Sequence, residues 1–183
     1  RNQHPQIGMV CCKIIFPNQK VQLNGGSLVQ SGHFIEFSLM DEGKKASDLS
    51  TMIGREYAWA PAGATLYRRE IFDAIHSDPN TVDTFVDNFE DNDLALQIKN
   101  LGYKIVNCPT AQVIHHHIKY YFFEALKERR YLRERYDEKV ILKSIMAFYY
   151  KHKLFIKIKN DTYFDYSRGR TPAEIIDHLE RAC

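Results

Sequence analysis

Residues 89 to 117 carry, in order, Phe89-Glu90-Asp91-Asn92-Asp93-Leu94, then Gly102-Tyr103-Lys104-Ile105-Val106, then Pro109 and Val113-Ile114, and end in His115-His116-His117. Glu90, Asp91 and Asp93 put three carboxylates into four positions. Behind them Leu94, Ile98 and Leu101 fall at i, i+4 and i+7, one face of a helix. Gly102 stands where a C-terminal glycine stops such a helix. Tyr103-Lys104-Ile105-Val106 reads as a short strand, Pro109 as its close, and Val113-Ile114 as the run into the histidines. An acidic turn, a helix, a strand, a loop and a histidine cluster predict an α/β domain.

The acidic turn has two readings. Carboxylates in a first turn complement the helix dipole and offer oxygens to unpaired N–H groups, which is plain capping. Alternatively, one of them faces a cleft and works as a base, kept ionised by the positive helix end. Spacing alone does not choose between them.

Two further segments bear on the choice. Gly63-Ala64-Thr65-Leu66-Tyr67-Arg68-Arg69-Glu70-Ile71-Phe72 precedes the acidic turn, and Ile7-Gly8-Met9-Val10, Lys13-Ile14 and Val21-Gln22-Leu23-Asn24-Gly25-Gly26 open the chain. With Glu90-Asp91-Asn92-Asp93-Leu94, Gly102-Tyr103-Lys104-Ile105-Val106 and Pro109-Thr110-Ala111-Gln112-Val113-Ile114-His115, these resemble the second half of family 2 of the inverting glycosyltransferases, in particular its bacterial rhamnosyltransferase-like members. The family's pattern there is E-D-x-D-L with an arginine three residues on, G-Y-x-I/V, and P-x-A-x-V-x-H, preceded by P-x-I-G-x-V-x-x-K-L and by a segment that opens G-A and closes R-R-E-x-F. The resemblance runs in order from about residue 5 to 117. It departs at Gln97, where the family has arginine, and over Ile75 to Asp87, which lacks the family's G-G-F-D-E approach.

The resemblance implies the acceptor-side half of a GT-A (nucleotide-diphospho-sugar transferase) fold over residues 1–118, with a helical C-terminal extension over 119–183. It implies transfer of a sugar, with inversion, from a nucleotide-sugar donor to a hydroxyl of a glycan or lipid-linked acceptor, as in cell-surface polysaccharide synthesis. Asp91 would be the catalytic base. Glu90 and Asp93 would orient the acceptor or cap the helix, and Trp59, Gly63 and Arg69 would border the substrates. His115 would be a ligand for a divalent metal, Mg or Mn, or for the diphosphate. His117, on the same face of a β-like segment, is the weaker candidate, and His116 takes the other face.

The same residues carry plainer readings. Trp59 serves equally as a core aromatic or as a platform for a sugar ring. One of Arg68 and Arg69 suits a phosphate, yet both suit a surface pair. Gly25-Gly26 admits a ligand close to the backbone or simply turns the chain.

With 183 residues, 44% of them hydrophobic, the chain can bury a core. Ile7 to Phe16 reads as a buried strand, Pro17 to Lys20 as a turn, and Val21 to Leu23 as a returning strand. Ser27 to Arg55 reads as an extended loop region, and Ile71, Phe72 and Ile75 as the inward side of a short helix. Cys11 and Cys12 sit in the first strand, Cys108 at a strand end and Cys183 at the terminus. Without metal-type spacing these are expected to be free thiols of a reducing compartment, hence a cytoplasmic protein. No run approaches the ~18 apolar residues of a membrane-spanning helix. The start at Arg1 suggests a piece of something longer, lacking the family's nucleotide-binding half.

Beyond Ile118, helices are predicted from Tyr120 through Arg133, from Asp137 through Tyr150 with Val140, Ile141, Ile145 and Phe148 inward, and from a Thr171-Pro172-Ala173-Glu174 capping box to Arg181. These helices pack on the catalytic domain or a subunit, or lie against the inner face of the cell membrane. A net charge of +2 gives no electrostatic case for nucleic acid. A non-catalytic binding or assembly module on the same scaffold is the competing reading. A nucleic-acid binder using the lysine-rich tail is a more distant one.

Overall fold

The computed structural model describes residues 4, 6–76, 88–116, 133–157 and 166–182. The fold is mixed α/β and divides into two compact units: Arg1–Leu28, Ser38–Val82 and Asp91–Tyr121 in one, Val29–Phe37, Asp83–Glu90 and Phe122–Cys183 in the other. They interleave along the chain, where the sequence reading cuts once after residue 118.

The first unit is built on β1 (Ile7–Ile15), whose alternating burial puts Met9, Cys11, Lys13 and Ile15 on the buried side. Parallel to it runs β7 (Lys104–Ile114). On the other edge β1 pairs antiparallel with β2 (Val21–Leu23) and β6 (Thr65–Tyr67), and β5 (Glu56–Tyr57) pairs antiparallel with β7. Helix α1 (Arg69–His76) buries Ile71 and Ile75, an i, i+4 pair. Phe72, expected inward, is 37% exposed, because it lies a hundred degrees round the helix; its ring stacks on Tyr67 at 6.1 Å.

Helix α2 (Glu90–Asn100) ends in a Schellman turn: Tyr103 N–H donates to the Ile98 carbonyl, Gly102 N–H to that of Lys99, and Gly102 takes φ +82°. The inward face is Asn92, Asp93, Ala95 and Ile98 rather than Leu94, Ile98 and Leu101. Leu101 lies beyond the last helical residue, so the turn carries it out to solvent.

The strand after α2 is longer than the sequence suggests. Pro109 does not close it. The register passes from Cys12↔Cys108 to Lys13↔Gln112, so Pro109, Thr110 and Ala111 bulge out of β7 opposite a single step of β1. A bulge is where a proline costs no ladder hydrogen bond. Pairing then resumes to Ile114, and the His115 N–H donates to the Ile15 carbonyl. Cys108 accordingly lies within the strand, not at its end.

The segment expected to be a loop from Ser27 to Arg55 is ordered structure. It forms β3 (Gly26–Ser31), β4 (Phe34–Leu39) and a short 3-10 helix over Leu49–Met52 capped by Asp48. In the second unit β4 pairs in parallel with β8 (Phe155–Ile156). Helices α3 (Glu138–His152, capped by Asp137) and α4 (Pro172–Ala182) pack there around Ile141, Leu142, Ile145, Met146, Phe155, Tyr166, Ile175 and Leu179. Each such buried aliphatic side chain contributes about 1.5–3 kcal/mol. The predicted capping box is formed: the Thr171 N–H donates to the Glu174 carboxylate and the Glu174 N–H to Thr171 Oγ1. The apolar side of α3 packs into this core, with Val140 only half-buried at its margin. Among the described residues no helix is long and apolar enough to cross a membrane. The helix predicted from Tyr120 to Arg133 lies outside the described residues apart from its last residue.

Candidate functional site

The acidic turn is reached through Phe89, which holds φ +69°, a left-handed conformation costly for a bulky residue. Packing of Phe89 against the second unit's apolar core holds that conformation. From there the three carboxylates part company. Glu90 is exposed, Asp91 half-buried and Asp93 buried. Gln97 Nε2 donates to Asp93 Oδ2 at 2.8 Å, one turn along α2. The Gln97 amide therefore ties Asp93 down within the helix. Asn92, 8% exposed, keeps its Nδ2 buried and unpaired among the described residues. Of the three carboxylates, Asp91 combines partial burial with a first-turn position. That setting suits a base better than the exposed Glu90 or the buried Asp93.

His115 is exposed, and its Nδ1 meets Gln22 Oε1 on β2 at 2.7 Å. With Gln22 presenting its oxygen, the Nδ1–H of His115 is the donor in this contact. The family's divalent metal is tested by the donors at hand. Among the described residues no three His, Cys, Asp or Glu side chains come together as a metal site. His115 offers one imidazole, not a set. His116 is exposed, and His117 lies outside the described residues.

The remaining predicted residues separate. Trp59 is 8% exposed, its indole N–H donates to the Ser27 carbonyl, and a Cβ on Gly26 would lie 1.9 Å from its Nε1. The core reading accounts for these contacts. The glycine pair is explained with it: Gly25, at φ +85°, leaves room for the Tyr57 ring as Gly26 does for Trp59. Gly63 is exposed in a 3-10 turn with open space beside it. Arg69 is engaged by Asp73 at 2.8 Å on the exposed side of α1, which is the surface-pair reading. Its neighbour Arg68 reaches the carbonyls of Ile7 at 2.6 Å and His4 at 2.9 Å and tethers the start of β1.

A buried polar network went unread in the sequence. Lys13, fully buried, donates Nζ to the Ala46 carbonyl at 2.8 Å and to Thr51 Oγ1 at 3.1 Å, with Met52 Sδ at 3.0 Å. Burial pushes its amine below the usual lysine range, and nearby Asp41 only partly opposes this. Asn24 Nδ2 donates to Asp41 Oδ2 at 2.9 Å and to the Thr51 carbonyl at 3.1 Å. Asn107 Nδ2 donates to Asn24 Oδ1 at 2.9 Å while its Oδ1 accepts from the Arg55 N–H at 2.8 Å. This chain of bonds fastens residues 41–55 to β1 and β7. The signal lay in the alternation of β1, which assigns Lys13 to the same side as Met9 and Cys11.

No family model matches the chain, and no solved structure matches it. A curated relative, "Uncharacterized protein y4gI" of Sinorhizobium fredii (strain NBRC 101917 / NGR234), is 29% identical over 120 residues. Those residues are 62% of this chain and 12% of that protein, so the chain spans a small part of its relative's length. The relative's name carries no activity.

Proposed function

We propose that this chain is the acceptor-side half of a GT-A-type inverting glycosyltransferase of family 2, moving a sugar from a nucleotide-sugar to a hydroxyl of a glycan or lipid-linked acceptor. The observation that carries the reading is the half-buried Asp91 in the first turn of α2, within a motif order that resembles the family from β1 to His115. In the proposed step Asp91 accepts the acceptor hydroxyl's proton as that oxygen bonds to the anomeric carbon. The nucleoside diphosphate leaves from the opposite face, which inverts the centre. Glu90, turned to solvent, is the candidate for orienting the acceptor. A divalent cation would supply charge neutralisation at the departing diphosphate. The described residues make no metal site of their own, so proton transfer at Asp91 is the one step assigned.

The test is a panel of nucleoside-diphosphate sugars offered to the full-length gene product with glycan and lipid-linked acceptors. The expected result is acceptor-dependent release of nucleoside diphosphate and a product of inverted anomeric configuration. A retained configuration, or no release with any donor, counts against the proposal.

A further inference from the structure

We propose that Cys12 and Cys108 form a peroxide-sensitive dithiol that closes to a disulfide and staples β1 to β7 beside the bulge. The two residues are direct partners on neighbouring parallel strands, so their side chains leave the same face of the sheet. Neighbouring strands lie about 4.8 Å apart, inside the window of about 4.4–6.8 Å between Cα atoms that a disulfide spans. The register breaks immediately after this pair, which gives the backbone slack to bring the sulfurs together. Both residues are half-buried free thiols, and the Cys108 sulfur lies 3.6 Å from Thr110 Oγ1 in an exposed contact.

The three thiols of this neighbourhood differ in reactivity. The Thr110 hydroxyl and then the Ala111 N–H stabilise the Cys108 thiolate and hold that thiol below the usual cysteine range. Burial pushes the Cys11 thiol the other way, up to about 11, with Cys12 and Cys108 adding repulsion. Cys108 is therefore the attacking sulfur, Cys12 the resolving one, and Cys11, on the opposite face, a bystander. The Cys108 thiolate attacks hydrogen peroxide, forming an S–O bond as the O–O bond breaks, and hydroxide leaves to be protonated to water. Cys12 then attacks the sulfenic acid, forming S–S as S–O breaks, and its thiol proton leaves with the hydroxide as a second water. Peroxide is reduced by two electrons and the dithiol oxidised by two. The oxidised Cys108 gives up its contacts to Thr110 and Ala111, which alters the bulge on the strand that carries His115.

The experiment treats the full chain with low hydrogen peroxide, blocks the remaining thiols with iodoacetamide and maps the peptides by mass. The expected result is a cross-linked Cys12–Cys108 peptide pair, reversed by dithiothreitol, with Cys11 recovered as the blocked thiol. Cys12→Ser should leave a sulfenic acid on Cys108 that dimedone traps, Cys108→Ser should leave Cys12 reduced, and Thr110→Val should slow the loss of Cys108. Three results on the wild-type chain would overturn the proposal: Cys12 and Cys108 both recovered as thiols, Cys108 oxidised to sulfinic acid without a cross-link, or Cys108 joined to Cys183 instead.

Discussion

Asn24→Ala removes the hub that fastens residues 41–55 to the sheet. The side chain is fully buried and holds three partners: Asn107 Nδ2, Asp41 Oδ2 and the Thr51 carbonyl, at 2.9, 2.9 and 3.1 Å. A buried polar group left without its partner costs about 1–3 kcal/mol. Asp41 keeps Lys44 at 2.7 Å, and Asn107 Nδ2 keeps a long contact to the Ile53 carbonyl at 3.5 Å, so the total falls toward the lower end. The expected loss is about 3–6 kcal/mol, three such groups at those values. Urea unfolding followed by Trp59 fluorescence reads it, since the single tryptophan is buried in the same unit. The loss should also depend on pH. Burial pushes the Asp41 carboxyl up, but hydrogen bonds from Lys44 and Asn24 outweigh it and hold the group below the usual 3.8. A depressed carboxyl contributes stability above its unfolded value and loses it as pH falls through the folded one. The gap between wild type and variant should therefore narrow below about pH 3.8, the unfolded value. A loss under about 1 kcal/mol at neutral pH, the net worth of one ordinary hydrogen bond, would refute the hub.

Three further perturbations follow from other contacts. Gly26→Ala drives a methyl to within 2.2 Å of Trp59 Cε2, so the ring must shift; the expected cost is about 3 kcal/mol in the wild-type background but small in a Trp59→Leu background, and a neutral Gly26→Ala in urea unfolding would contradict the packing. Lys13→Met keeps the buried stem and removes the amine. Because the folded amine titrates below the unfolded 10.5, wild type carries a charge-burial cost that is relieved as pH rises through that window, so wild-type stability should gain on the variant there; a difference flat with pH would contradict it. Thr171→Ala opens the capping box of α4 and should cost about 1 kcal/mol in thermal unfolding, an unchanged midpoint being the contrary result.

What the sequence made legible was local. The Gly102 stop and the Thr171 capping box each depend on a few neighbouring residues, and each formed as read. Pairing information was less accessible. Pro109 marks a strand end in isolation, and only the partner strand shows that pairing resumes at Gln112. The polar network hides for the same reason: Asn24, Asn107 and Thr51 are distant in sequence and ordinary singly, and their partners are fixed by the sheet. Trp59 was ambiguous because its environment is a glycine on another strand. Asp91 was legible as a member of an acidic turn, while the sorting of Glu90, Asp91 and Asp93 into exposed, half-buried and buried required the helix's orientation on the sheet.

The most direct test of the central claim is the rate of sugar transfer by the Asp91→Asn form of the full-length gene product. The amide is nearly the same shape but accepts no proton, so transfer should fall by about 10²–10⁴, the usual contribution of a general base, with the melting temperature and donor binding unchanged. Transfer at close to the wild-type rate would contradict the assignment of Asp91 as the base and, with it, the glycosyltransferase account of this site.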